Sequence, residues 1–145
     1  MKSKNHKLEE NELTVKSRTE NLSAIRNFVS AGALEIGIPL KIVENIILAV
    51  DEACTNIIKH AYKYSSNGDI GINIKLTNSK LVISITDSGE HFNPGEVPTP
   101  NLLEYQKKKK AGGLGIFLMR KLMDEVNYKI LNDNRNLVEL VKHLK

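Results

Sequence analysis

DEACTNIIKHAY, residues Asp51 to Tyr62, is the stretch whose reading decides the fold. The apolar positions Val43, Ile46, Ile47, Val50, Ala53, Cys54, Ile57, Ile58 and Ala61 recur through and before it at helical spacing, which predicts a largely buried central helix. Glu52 and Asn56, four residues apart, then project from one face of it. The pair has two readings. One is an ordinary polar pair on a helix surface. The other is a chemical pair, in which Asn56 gives a hard oxygen to Mg2+ and Glu52 takes a proton from an attacking hydroxyl.

Outward from this helix the chain divides cleanly. Residues 1–11 read as a flexible polar tail, and residues 12–145 as one domain. Alternation through Leu13 and Val15 predicts a short strand from Glu12 to Lys16. A helix bearing Leu22, Ile25, Phe28, Val29 and Leu34 follows, with Thr19 or Asn21 as its cap. Gly37 to Pro39 breaks that helix, and Pro39 opens the central one, which ends near Tyr62. Two period-two runs, Ile70 to Thr77 and Leu81 to Asp87, flank Asn78-Ser79-Lys80 as an antiparallel hairpin. A long irregular stretch follows, with a lid over residues 93–112, and loops of that length in small domains are generally disordered or functional. Leu114 to Met123 reads as a helix entered from glycines, and Val126 to Leu131 and Leu137 to Leu144 as closing strands joined by a polar turn.

Two further stretches carry chemistry. In Ala111-Gly112-Gly113-Leu114-Gly115-Ile116 the glycines allow close approach of a phosphate to backbone amides, and the helix beyond supplies free N–H groups. The same glycines can be plain turn residues. No Walker loop is present, since Gly-Lys-Ser/Thr does not follow. In Asp87-Ser88-Gly89-Glu90-His91-Phe92, at a strand end, a carboxylate is placed to accept from an adenine amine while Gly89 gives the base room; the alternative is a strand-ending Asx turn.

Composition narrows the field. The chain has 145 residues, 41% hydrophobic and 26% charged, enough for one compact domain with a real core. Its 21 Lys+Arg against 17 Asp+Glu give a scattered net charge of +4, too small to argue for direct nucleic-acid binding. The single cysteine, Cys54, lies on the apolar side of the central helix, excludes an internal disulfide and reads as a buried inert thiol. The polar start MKSKNHKLEENE lacks the apolar core of a signal peptide and no run reaches membrane-spanning length, so a cytoplasmic protein is expected, with no membrane role.

Taken in order, Glu52-x-x-x-Asn56, Asp87-x-Gly89-x-x-Phe92 and Gly112-Gly113-Leu114-Gly115 resemble the N box and glycine boxes of the GHKL, or Bergerat-fold, ATPases. EACTNIIKHAY and GGLGIFLMRKLMDEV resemble in particular the bacterial anti-sigma-factor serine kinases, over roughly Leu13 to Leu144. The resemblance implies an α+β fold, a two-layer sandwich of a mixed, mostly antiparallel sheet with helices on one face. It implies ATP and Mg2+ as cofactors. Glu52 would be the general base, Asn56 the Mg2+ ligand and Asp87 the adenine contact; Gly89 would line the adenine pocket, and Gly113 and Gly115 would belong to the phosphate-binding turn, with Gly112 and Leu114 beside them. The implied partners are a sigma factor, which the protein would sequester, and a STAS-type anti-anti-sigma protein, whose serine it would phosphorylate. A homodimer paired through the sheets, with the first strand as a natural edge, is also implied. The alternative is a regulatory module that binds nucleotide and a protein partner without phosphoryl transfer.

Two departures from the family pattern stand out. Asn136 occupies the place of a threonine that in many members supports the adenine-binding aspartate, and an amide can replace a hydroxyl because it also donates and accepts. Lys107 to Lys110, in the lid, match no motif; they are a solvated run or a lysine that swings onto the phosphates. Among the histidines His60, on the central helix, either shapes the nucleotide pocket or ends the helix, while His6, His91 and His143 fall in the tail, at the lid and near the chain end. Arg26, beside the apolar stripe of the first helix, is a candidate partner contact or a solvated arginine.

Overall fold

The structure, a computed structural model, describes residues 10–91 and 112–144. Most of the tail, Phe92 and nearly all of the lid, including Lys107 to Lys110, lie outside the described residues. The elements run β1 (Glu10–Lys16), α1 (Leu22–Glu35), α2 (Leu40–Asn56), β2 (Asp69–Thr77), β3 (Lys80–Asp87), α3 (Gly112–Leu122), β4 (Glu125–Ile130) and β5 (Asn136–His143). The five strands form one sheet in the order β1-β2-β3-β5-β4, antiparallel at each of its four pairings. The expected α+β sandwich is therefore the observed one.

Alternation does the sorting. Ile70, Ile72 and Ile74 of β2, Leu81, Ile83 and Ile85 of β3, and Val138 and Leu140 of β5 face the helices and are buried. Against them packs α2, and eight of the nine apolar positions that define its stripe are buried, Ile47 alone being half-buried. Helices α1 and α3 flank α2, so the central helix is held on both sides as well as from beneath.

Several boundaries shift for local reasons. β1 starts two residues earlier than alternation suggests, because Glu10 and Asn11 pair with Lys75 and Ile74 of β2. Asn21 does precede α1, but its amide donates to the Lys16 carbonyl at 2.9 Å and not to the helix, so it ties the helix start to β1. Leu34, expected on the apolar stripe, is 47% exposed; Ala33 fills the buried position instead. Gly37, at φ +85°, ends α1, with Ile38 N–H donating back to the Ala33 carbonyl at 3.2 Å. The hairpin turn is the two residues Asn78 and Ser79, both left-handed at φ 50° and 64°, which suits the strand twist; Lys80 already pairs with Thr77.

The end of the central helix differs from a simple α-helix. Beyond Asn56 the chain widens into a π turn, Ile57–Ala61, closed by Tyr62 N–H donating to the Ile57 carbonyl at 2.9 Å. Turns of this kind are infrequent and gather at functional sites. Lys63 and Tyr64, both at positive φ, then reverse the chain towards β2.

Candidate functional site

Among the described residues, Ser17, Asn56 and Asp87 are the buried polar or charged side chains. Ser17 is satisfied by the turn before β2, its hydroxyl donating to the Ser65 carbonyl and accepting from Gly68 N–H. The other two are residues singled out by sequence. Asn56 is 6% exposed and its Nδ2 has no hydrogen-bond partner among the described residues. Leaving an amide so placed costs about 1–3 kcal/mol. A half-turn of the carboxamide exchanges its nitrogen and oxygen, so the same side chain can donate to a phosphate oxygen or offer oxygen to a cation.

One turn earlier on α2, Glu52 is half-buried. Burial first, and then the negative charge of Asp51, push its carboxyl above the ordinary value, against a smaller opposing pull from Lys59. A carboxylate tuned upward is a better proton acceptor near neutral pH than an unperturbed one. Asp51 is itself paired with Arg26 across α1 and α2, Nη1 to Oδ1 at 2.7 Å. Arg26 is thus neither simply solvated nor unattached: its guanidinium balances the charge beside the candidate base.

Asp87 closes β3 and is 4% exposed. Its Oδ1 accepts from Gly89 N–H at 2.9 Å and from Asn136 Nδ2 at 2.8 Å. The Asx turn, one of the two alternatives in sequence, is therefore formed. Burial nonetheless raises the Asp87 carboxyl, only partly offset by those hydrogen bonds and by His91. The Asn136 nitrogen also lies 3.2 Å from the Gly89 carbonyl and 3.4 Å from that of Glu90, so its orientation is fixed by three oxygens. Its own oxygen meets His91 Nδ1, while His91 Nε2 lies 3.2 Å from Asn134 Oδ1. Asn136 does what the sequence comparison asks of it, supporting Asp87 from β5.

The turn from Asp87 to Glu90 rests directly on the end of the central helix. A Cβ on Gly89 would lie 2.5 Å from the Ala61 carbonyl oxygen, closer than such atoms approach, so glycine is required for this seat. Glu90 N–H donates to the same carbonyl at 2.8 Å. The tertiary structure thereby joins the Asp87–Gly89 turn to the helix that carries Glu52 and Asn56. Gly112, Gly113, Leu114 and Gly115 form the first turn of α3, which begins two residues earlier than expected and packs beside α2. A glycine-opened helix start next to Asn56's helix suits an anionic ligand.

Family comparison agrees with this geometry. Residues 15–142 match the histidine kinase-like ATPase domain. Serine-protein kinase RsbW of Halalkalibacterium halodurans is 32% identical, over 97% of this chain and 86% of the relative. The chain belongs to the RsbW family of histidine kinase-like serine-protein kinases. RsbW of Bacillus subtilis is likewise 32% identical, over 92% of this chain and 84% of its own. A crystal structure of RsbU and RsbW domains from Mycobacterium tuberculosis superposes with a TM-score of 0.67 at 16% identity, over 93% of this chain and 32% of that longer one, and shows the shared fold.

Cys54 is fully buried and burial drives its thiol far above the ordinary value, so it is inert as expected. His60 lies in the π turn, and partial desolvation first, then the charges of Lys59 and Lys63, hold its imidazole below the ordinary value. His143 pairs with Glu125 at 2.9 Å on the opposite side of the sheet from α2. No helix among the described residues is long and apolar enough to cross a membrane. Sequence reading did not single out the bonds of Tyr62 to Ser88 and of His91 to Asn134 and Asn136, because these partners lie far apart in the chain.

Proposed function

We propose that this protein is an anti-sigma factor and an ATP-dependent protein serine kinase, which binds a sigma factor in the cytoplasm and phosphorylates a serine of a STAS-type anti-anti-sigma protein. The observation that carries the proposal is Glu52, a half-buried carboxylate raised above its ordinary range, one turn before a buried amide with an open hydrogen-bond position, in a chain of this family. A module that only held nucleotide would gain nothing from such a base.

Asp87 accepts the adenine amine on Oδ2, the oxygen its internal bonds leave open among the described residues, and Gly89, seated against Ala61, lines the pocket with backbone alone. Asn56 fits Mg2+ or a phosphate oxygen equally by the chemistry of its amide, and the backbone of Gly112, Gly113, Leu114 and Gly115 fits the phosphates. When bound, Mg2+ supplies neutralisation of charge across the phosphate oxygens. Glu52 takes the proton of the partner's serine hydroxyl. The serine oxygen bonds to the γ-phosphorus as the bond to the β-phosphate oxygen breaks, leaving phosphoserine and ADP.

The test is incubation of γ-labelled ATP with this protein and a candidate STAS partner. Label on the partner's serine supports the kinase; nucleotide binding with no label leaves the regulatory module. Association into a homodimer through β1, whose outer edge is unpaired among the described residues, is part of the same proposal and is tested by solution mass against concentration.

A further inference from the structure

Tyr62, the residue that closes the π turn, spends its hydroxyl in both directions. It accepts from Ser88 N–H at 2.8 Å and donates to the Asp69 carbonyl at 2.7 Å. One phenol thus bridges the turn after β3 and the start of β2 from the end of the central helix. Its ring lies where a Cβ on Gly68 would be, 2.3 Å from Cε1, so the absence of a side chain at Gly68 makes its seat. Gly68 is anchored in turn by Ser17, whose N–H donates to its carbonyl at 2.9 Å.

The bond to Ser88 acts on Asp87. The N–H of Ser88 belongs to the peptide group formed by the Asp87 carbonyl carbon, and holding that planar group sets the backbone rotation from which the Asp87 carboxylate projects. Asn136 holds the carboxylate itself, on Oδ1. Ala61 holds the far side of the turn through Glu90 N–H. The clasp at the amide between the two falls to Tyr62.

We propose that Tyr62 is a positioning residue for adenine selection, aiming Asp87 by fixing the Ser88 amide against the end of the central helix. This rests on the nucleotide reading above. Burial, the largest influence on the phenol, raises it above its ordinary value, so the proton stays on the oxygen and the bond to Asp69 persists.

Tyr62→Phe keeps the ring in its notch and removes only the hydroxyl. Titrating ATP and GTP with Mg2+ into the native protein and the variant should show a roughly 3- to 10-fold weaker ATP affinity, the net value of one such hydrogen bond. The preference for ATP over GTP should narrow by a similar factor, because both nucleotides share the phosphate contacts. A purely structural tyrosine would lower the melting temperature and leave that preference alone. Tyr62→Phe placed on Asp87→Asn should cost ATP affinity no further, since the path through Asp87 is already lost.

Wild-type affinity and selectivity in Tyr62→Phe, or simple additivity with Asp87→Asn, would overturn the proposal. Native protein that binds ATP with no Tyr62 effect sinks this inference alone; native protein that binds no ATP sinks the nucleotide reading with it. Should Tyr62→Phe not fold, hydrogen exchange of the Ser88 amide in the native chain decides. Protection is expected although Ser88 is exposed, and free exchange refutes the clasp.

Discussion

Asn56 combines burial with an open hydrogen-bond position, and under the proposed function stability and ligand binding pull against each other there. Asn56→Ala should abolish Mg2+-dependent ATP binding in calorimetric titration yet melt no lower than the native protein, because the orphaned amide, worth about 1–3 kcal/mol, goes with it. Glu52→Gln should retain ATP binding while phosphoryl transfer falls by about 10²- to 10⁴-fold, the usual span for a positioned base. The pH dependence follows from the direction of its shift. Only ionised Glu52 accepts a proton, and its carboxyl is raised, so the rate should climb with pH over a range above that of an ordinary glutamate and be lost as pH falls through it. Glu52 and Asn56 were legible in sequence because helical spacing alone puts them on one face. Their contrast was not, since burial of one position and partial exposure of the other depend on what packs against the helix from elsewhere in the chain.

The turn after β3 and the α1–α2 contact carry the predictions that belong to whole elements. Gly89→Ala must push a Cβ into the Ala61 carbonyl, so the turn must lift from the central helix. Overpacking of this kind costs about 1–3 kcal/mol, and both melting temperature and ATP affinity should drop together. Asp87→Asn should separate the two. The raised Asp87 carboxyl means that its ionised form is penalised in the folded state: the cost is full above the folded value, shrinks as pH falls below it, and is gone below the ordinary aspartate value. The neutral amide should therefore weaken ATP binding with no loss of stability in a thermal melt at pH 7. Between α1 and α2, Arg26→Ala leaves the Asp51 charge uncompensated beside Glu52. The acid limb of the phosphorylation rate should then move to higher pH, while stability falls by at most about 1 kcal/mol because the pair is part-exposed.

At the scale of the molecule, one sheet and one central helix bring together residues from three separated boxes. The sequence determined a good deal unaided. The buried stripe of α2, the β2–β3 hairpin, the two closing strands and the order of the boxes are all local patterns of period 3.6, period 2 or turn residues, and such patterns survive in a string of letters. Asn136 was placed beside Asp87 by resemblance to the family threonine, and the register of β3 against β5 sets the two opposite each other. What only the tertiary structure decided depends on pairs far apart in the chain: Arg26 with Asp51, Tyr62 with Ser88, Gly89 with Ala61, His91 with Asn134 and Asn136. The π turn belongs with them, because a single extra residue in a helical turn leaves the apolar spacing nearly unchanged while moving the carbonyl of Ala61 to where Glu90 can reach it. Periodicity sets which face of an element is buried; the direction of a hydrogen bond across elements is set only when the chain has closed.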